Sequence, residues 1–344
     1  MIKSARIIKS ESAQFYETNF SCDNAIVLTF GDEKYFITDG RYTTEARENA
    51  KETKVIESDD LIADARKLLR LSGEKRFVVD PSEWSAKECD ALRKKLPNFV
   101  FCEKVNFHQK LRAVKSASEI ALIENAVKEN QEAFDRFANF IAKSGGGKSE
   151  KELWFEAKRF LSDSGARDLS FEPIFAIDAN AAKPHALPTN DKLKSGSAIL
   201  FDAGTKYRRY CSDRTRTAVF DKNGVSFKMD QRFGDPKKQA IYDLVLKAHD
   251  KAIAAARIGM KASELDRVAR EVIASGGYGE AFKHSLGHGV GLDIHEEPFI
   301  NKRSETTLKE GMIFTIEPGI YIAGEFGVRI EDIVALEKGG ARVL

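Results

Sequence analysis

Four acidic residues and one histidine stand out for where they sit. Asp202 lies in Ala198-Ile-Leu-Phe-Asp-Ala-Gly and Asp213 in Cys211-Ser-Asp-Arg-Thr-Arg-Thr. Glu317 lies in Phe314-Thr-Ile-Glu-Pro-Gly, Glu331 in Val328-Arg-Ile-Glu-Asp, and His288 in Gly287-His-Gly-Val-Gly. Each acid pair reads as one hairpin: an apolar run, a short polar or glycine-bearing turn, and an apolar run back. The Asp pair is centred near Tyr207 and Arg208, the Glu pair on Gly324. Residues directly opposite across antiparallel strands lie roughly 5 Å apart at Cβ, and like charges there are destabilising. Two such pairs inside apolar strands imply a cation between them.

Carboxylates with one imidazole suit a harder first-row cation: Mn²⁺ first, with Zn²⁺, Co²⁺ and Fe²⁺ as alternatives. Four carboxylates are too many for one small ion with an open position, so two ions sharing ligands fit better. Such a pair makes a hydroxide available near neutral pH, able to attack an amide or ester carbonyl. Any single acid among the 53 is more often a solvated surface charge. That bland reading weakens when four sit in apolar strand runs and pair by hairpin arithmetic. His284, His288 and His295 cluster among small residues, and His185 lies in Lys183-Pro-His-Ala-Leu-Pro. His249 reads as structural or exposed, and His108 has no informative context. Gly147-Lys148-Ser149 is no phosphate loop, because the glycine that motif needs at 142 is Ala142. His284 and His288 lack the glutamate of a helical zinc motif.

These residues need two hairpins held face to face. Residues 116–220 and 237–336 share a plan of two helices followed by an acid-bearing hairpin, which predicts two structurally similar halves. Ser116-Ala-Ser-Glu119 and Ser149-Glu-Lys-Glu152 read as capping boxes opening helices. Further helices are expected over Lys237–Arg257 and Ala262–Ser275. Strands are expected over Phe171–Ile177, Ser197–Gly204, Cys211–Phe220, Met312–Ile322 and Phe326–Leu336. Residues 22–103 alternate strand and helix patterns, with a hairpin at Gly31, and predict a small α/β domain. Residues 104–115 read as the connection. The 344 residues allow two domains. With 55 Lys plus Arg against 53 Asp plus Glu, the net charge of +2 argues against a nucleic-acid or anionic-membrane binder. No leader-like apolar stretch opens the chain, and no run approaches a membrane span. Cys22, Cys89, Cys102 and Cys211 show no metal or disulfide spacing and read as reduced thiols in a cytoplasmic protein.

Taken together, these motifs resemble the pita-bread metallopeptidases, most closely Xaa-Pro aminopeptidase and Xaa-Pro dipeptidase (prolidase). The matching segments are Arg112-Ala-Val-Lys-Ser-Ala-Ser-Glu-Ile, Phe201-Asp-Ala-Gly, Tyr210-Cys-Ser-Asp-Arg-Thr-Arg-Thr, His284-Ser-Leu-Gly-His-Gly-Val-Gly-Leu-Asp-Ile-His, Thr315-Ile-Glu-Pro-Gly-Ile-Tyr and Val328-Arg-Ile-Glu-Asp. The resemblance implies an α+β fold: a pita-bread catalytic domain with pseudo-twofold halves over 112–344, and a creatinase-like N-terminal α/β accessory domain over 1–111. It implies that Asp213 and Glu331 bridge two metals, Asp202 completes one site, and His288 with Glu317 completes the other. Glu317 would also be the general base on a metal-bridging hydroxide. His185 and His295 would steady the scissile carbonyl and its oxyanion, His284 would line the substrate pocket, and Arg329 would support Glu331.

The resemblance further implies a homodimer acting on peptides with proline at the second position. The leading expectation is an aminopeptidase cutting the Xaa-Pro bond at a peptide N-terminus. The first rival is a prolidase restricted to dipeptides. Methionyl aminopeptidase shares the five ligands, but the N-terminal domain and Glu317-Pro-Gly-Ile-Tyr favour the proline-specific branch. A creatinase-like amidinohydrolase would not need the full acidic set. An inactive pita-bread scaffold that binds partners is the reading from another class. Arg214, where that family is expected to carry an apolar residue or Thr, is expected at the pocket rim. Family members often run somewhat beyond the last ligand strand, so substrate contacts from a longer C-terminal extension are not expected.

Overall fold

Strands rich in β-branched and aromatic residues build the first unit. The computed structural model describes residues 5–344, and the leader-free reading of the N-terminus falls partly on residues 1–4, which lie outside the described residues. Two compact units divide between Leu111 and Arg112. The first contains β1 (Ala5–Ile8), α1 (Glu11–Thr18), β2 (Ala25–Phe30), β3 (Glu33–Thr38), α2 (Thr43–Asn49), β4 (Lys54–Glu57), α3 (Leu61–Leu71), β5 (Arg76–Val79), α4 (Ala86–Lys95) and β6 (Val100–Glu103). Helix α5 (Phe107–Arg112) spans that division by one residue, in the segment the sequence presents as a plain connection. The six strands form one sheet in the order β4-β3-β2-β1-β5-β6. Neighbouring residues along a strand face opposite sides of it. Ile7, Ile26 and Ile37 join α3 and α4 on one face, while Ile8, Val27 and Phe36 join α1 and α2 on the other. His108 is buried, with Nδ1 3.3 Å from Glu83.

The second unit has two parallel inventories. The first half holds α6 (Ala117–Ser144), α7 (Glu150–Leu161), β7 (Ile174–Ile177), β8 (Ala198–Asp202), β9 (Lys206–Tyr207), β10 (Tyr210–Cys211) and β11 (Thr215–Val219). The second half holds α8 (Pro236–Ala255), α9 (Ala262–Ser275), β12 (Gly287–Gly289), β13 (Glu296–Ile300), β14 (Ile313–Ile316), β15 (Gly319–Ile322), β16 (Phe326–Arg329), β17 (Asp332–Glu337) and β18 (Gly340–Val343). Both predicted capping boxes are present, at Ser116–Glu119 and Ser149–Glu152. The sheets run β11-β8-β7 and β13-β12-β14-β17-β18, and each half has its own core. Phe134, Phe137, Phe175 and Phe201 centre one, and Tyr242, Leu265, Phe314 and Val334 belong to the other. Among the described residues no helix is long and apolar enough to cross a membrane.

Register decides where the acids fall. Ile316 pairs Asp332 and Gly319 pairs Arg329, so Glu317 and Glu331 occupy opposed positions between two ladders, with Gly324 at φ 78° in the turn. The long strands expected over 312–322 and 326–336 are each interrupted where an acid sits. The Asp hairpin differs from its expected pairing. Asp202 opposes Thr215, not Asp213, because the turn is Arg208-Arg209, both at positive φ. Asp213 therefore lies two residues earlier, between β10 and β11, and the same register carries on through Ala203 N–Arg214 O and Ser212 N–Thr205 O. Gly204 makes this crossing tight: a Cβ there would lie 2.0 Å from the Ser212 carbonyl oxygen. Gly204→Ala should therefore destabilise the protein by about 1–3 kcal/mol. Urea unfolding checks this, and an unchanged midpoint would contradict it.

Candidate metal centre

Strand ends and breaks deliver the acids to one cavity. Asp202 ends β8, Asp213 precedes β11, Glu317 follows β14, and Glu331 lies between β16 and β17. His288 sits at the centre of β12, where the pairing with β13 shifts by a bulge between His288 and Gly289. Bulges of this kind re-aim a side chain. A Cβ on Gly289 would lie 2.3 Å from the Glu297 carbonyl oxygen, so only glycine permits that close approach. All nine site residues expected from the sequence line one cavity of about 860 Å³: His185, Asp202, Asp213, His284, His288, His295, Glu317, Arg329 and Glu331.

Ligand atoms of Asp213, His288 and Glu331 all lie within 4.8 Å of one another. His288 Nε2 is 3.6 Å from Asp213 Oδ2 and 3.4 Å from Glu317 Oε1. The Nδ1 atom of His288 donates to the Gly289 carbonyl at 3.2 Å, leaving an Nε2 lone pair towards the acids. That is how a metal-binding imidazole is usually oriented. The Thr215 hydroxyl donates to Glu331 at 2.6 Å, and the Thr315 hydroxyl to Glu317 at 3.3 Å. Asp202 Oδ2 accepts from Arg329 at 2.6 Å, whereas Asp202 Oδ1 is buried with no partner.

Among the described residues Arg329 is the buried cation that meets a carboxylate of this set directly, and that carboxylate is Asp202, whereas the sequence pairs it with Glu331. Its Nε donates to the Thr215 hydroxyl at 3.0 Å, and through that hydroxyl it reaches Glu331. Its Nη1 donates to Tyr321 at 2.8 Å, and Tyr321 in turn donates to His284 Nε2 at 2.8 Å. Tyr321 ends the Thr315-Ile-Glu-Pro-Gly-Ile-Tyr segment, and only its contacts in the fold reveal its part in the site. Arg216 is a second omission: it donates to the Glu331 carbonyl at 2.5 Å and to Asp332 at 2.6 Å. His249 is buried, 3.3 Å from Asp332, and so is not exposed. Arg214 does not reach the rim of the cavity. It lies over the Phe134 ring, with its guanidinium carbon 5.4 Å from the centroid.

Burial and mutual repulsion govern the ionisation of the group. Burial pushes Asp213 well above the usual carboxylate range, and Glu331, Asp202 and Glu317 add to the effect. Burial likewise raises Glu331, with Glu317 and Asp202 contributing. Glu317 is pushed up to about 8 by burial, opposed by Arg329 and reinforced by Asp202. Burial, and then the neighbouring His295 ring 4.3 Å away, lowers His288 to about 3. Burial and Arg329 lower His284 to about 3. A neutral imidazole among carboxyls whose ionisation is held back by burial and mutual repulsion is a ligand set that divalent cations would complete by displacing the protons. The orphan Asp202 Oδ1 and the unopposed acids both fit such ions. Burial also pushes the Cys211 thiol up to about 11, which makes it an inert packing residue.

A Metallopeptidase family M24 model matches residues 121–338, and a Creatinase/Prolidase N-terminal domain model matches residues 4–114. An uncharacterized peptidase of Bacillus subtilis is 32% identical over 341 residues, covering 98% of this chain and 92% of that protein. A Xaa-Pro dipeptidase of Pyrococcus furiosus is 41% identical over 236 residues, covering 68% of this chain and 63% of that one. The solved X-Pro aminopeptidase of Thermotoga maritima superposes with a TM-score of 0.87 at 29% identity, covering 99% of this chain and 94% of that chain.

The raised carboxyl groups give a pH dependence with a definite sign. In the metal-free fold Glu317 keeps its proton up to about 8, against an unperturbed 4.5. The stability this contributes is present below the unfolded value and is lost as pH rises through that window. Metal binding requires the ionised form, so it counters the loss. The rise in Tm on loading Mn²⁺ should be larger near pH 8 than near pH 5, and Glu317→Gln should reduce the difference. Thermal scans of metal-free and loaded protein across pH check this, and a pH-independent rise would contradict it.

Proposed function

The chain belongs to metallopeptidase family M24 and carries a creatinase/prolidase-type N-terminal domain, and on that premise we propose that it removes the residue preceding proline from peptide N-termini. The observation that carries this reading is the convergence of Asp213, His288 and Glu331, with Glu317 and Asp202, on one cavity. In this reading Asp213 and Glu331 would contribute to holding both of two divalent ions, Mn²⁺ by preference. Asp202 would complete the ligand set of one, and His288 with Glu317 that of the other. When bound, the ions supply Lewis acidity and acidify water to near neutrality.

The chain's own groups do the rest. Glu317 accepts the proton of the attacking water, a role that needs the ionised carboxylate which metal loading favours. His185 and His295 donate to the scissile carbonyl oxygen and stabilise the charge that grows there. His284 is held in one tautomer by Ser285 and Tyr321 and fixes the pocket wall. Phe171, Pro173, Ile174 and Phe299 line the same cavity and offer a proline ring an apolar surface. Arg329 holds Asp202 in place and, through Thr215, Glu331. The catalytic part is taken as 112–344 and the accessory part as 1–111. A cytoplasmic homodimer accompanies this reading, and four unpaired thiols support that location.

Aminopeptidase is preferred to dipeptidase on charge. A dipeptidase must hold the carboxylate that follows proline. Among the cavity's described lining, Arg329 is held by Asp202 and Lys158 shares an exposed pair with Glu172 at 2.8 Å, so no buried, unpaired lysine or arginine faces that carboxylate. The resemblance to the Thermotoga aminopeptidase supports the same choice. The dipeptidase reading rests on the 41% identity with the Pyrococcus enzyme.

Mn²⁺-loaded protein assayed on Ala-Pro, Ala-Pro-Ala and Met-Ala-Ser separates the readings. Release of Ala from Ala-Pro-Ala is expected, with no turnover of Met-Ala-Ser, and Asp213→Asn should abolish the reaction. Cleavage of Ala-Pro alone would establish the dipeptidase. No cleavage by folded, metal-loaded protein would establish the scaffold reading.

A further inference from the structure

A buried ion cluster joins Arg112, Lys115 and Glu296, none of which has a part in the chemistry proposed for the metal centre. Glu296 is fully buried and immediately follows His295. Its Oε1 accepts from Lys115 Nζ at 2.7 Å. Its Oε2 accepts from Arg112 Nη2 at 3.1 Å, Arg112 Nε at 3.3 Å and the Asp293 backbone N–H at 3.3 Å. Arg112 also donates to Asp293 Oδ2 at 2.5 Å. The side chains of Arg112, Lys115 and Glu296 are at most 2% exposed.

The cluster is anchored on both sides. Lys115 N–H donates to the Gly311 carbonyl at 2.8 Å, just before β14. Cys211 N–H donates to the Gly291 carbonyl at 2.8 Å, two residues before Asp213. Gly291 leaves room for the carboxylate in between: a Cβ there would lie 2.4 Å from Glu296 Oε1, which would have to shift off its buried partners. Residues 291–296 are therefore strapped to the start of the second unit, and they carry His295 beside His288.

A buried ion network is a weak source of net stability, because well-packed apolar residues often do as well. Its distinctive contribution is a single geometry. We propose that Arg112, Lys115 and Glu296 are positioning residues that hold the 291–296 loop so that His295 is presented to the scissile carbonyl. The proposal rests on His295 acting there, as in the proposed function. A misplacement of about 1 Å costs about 10²-fold in rate when a group must be aligned.

Lys115→Met in the full-length, Mn²⁺-loaded protein tests it, with Lys115→Arg as the conservative control. The expected result is a fall in kcat on Ala-Pro-Ala of about 10–100-fold, with KM within about threefold. Mn²⁺ content should be unchanged, and Lys115→Arg should recover most of kcat. Histidine-selective ¹⁵N NMR of the metal-free proteins should show the His295 signal displaced in Lys115→Met, with the His185 signal in place. An unmoved His295 signal, or a loss of kcat that only tracks loss of metal or of folded protein, would overturn the proposal. If the wild type cleaves no Xaa-Pro peptide, the functional reading fails, and the NMR arm still decides whether the cluster sets the His295 position. If Lys115→Met does not fold, Asp293→Asn, which removes one partly exposed edge of the cluster, should move the same signal, and its failure to do so counts against the proposal.

Discussion

Four carboxylates buried together against one guanidinium are the constraint on which the second unit depends. Two unit charges about 4 Å apart repel by about 4 kcal/mol at an effective dielectric near 20. A domain's whole stability is only about 5–15 kcal/mol. A few such repulsions would consume it, so the group cannot be fully ionised without added positive charge. Arg329 supplies one such charge, placed against Asp202, and hydroxyls of Thr215 and Thr315 supply partial ones to Glu331 and Glu317. In the metal-free fold, protons held by Asp213, Glu331 and Glu317 relieve the remainder, and divalent cations would take their place, which is why the site reads as a candidate metal centre and not as a structural core.

The fold meets this constraint with two halves that each bring a broken hairpin. The inner ladders β8–β11 and β14–β17 pack on separate cores, which gives the acids rigid mounts. The outer ladders β9–β10 and β15–β16 continue the same registers. The acids sit in or beside the gaps between ladders, so their side chains are freed from strict alternation without loss of strand position. Glycines at 204, 289 and 291 let neighbouring backbone or a carboxylate approach where any Cβ would collide. The imidazoles then come from the β12–β13 region and the loop at His185, and they complete the cavity wall.

Much of this was legible because it is local. Capping boxes at Ser116 and Ser149 announced their helices. The Glu pair was readable to the residue because Gly324 marks its turn. The Asp pair was misread by two positions because its turn is Arg208-Arg209, and arginines at positive φ give no turn signal. Short elements such as β12 and β18 carry too few residues for a period, and α5 hides in a mixed polar stretch. The ion cluster was the least legible. Arg112 and Lys115 were visible as part of a motif, but Glu296 lies more than 180 residues away and only packing joins them. The partnership of Arg329 with Asp202, 127 residues apart, was hidden for the same reason.

Calorimetric titration of metal-free protein with Mn²⁺ would show whether the four carboxylates and His288 hold two ions. Two ions per chain are expected, reduced to one in Asp202→Asn and weakened at both positions in Asp213→Asn, because that ligand is shared. A wild-type stoichiometry of one or none, or tight binding of two ions without Asp213, would contradict it.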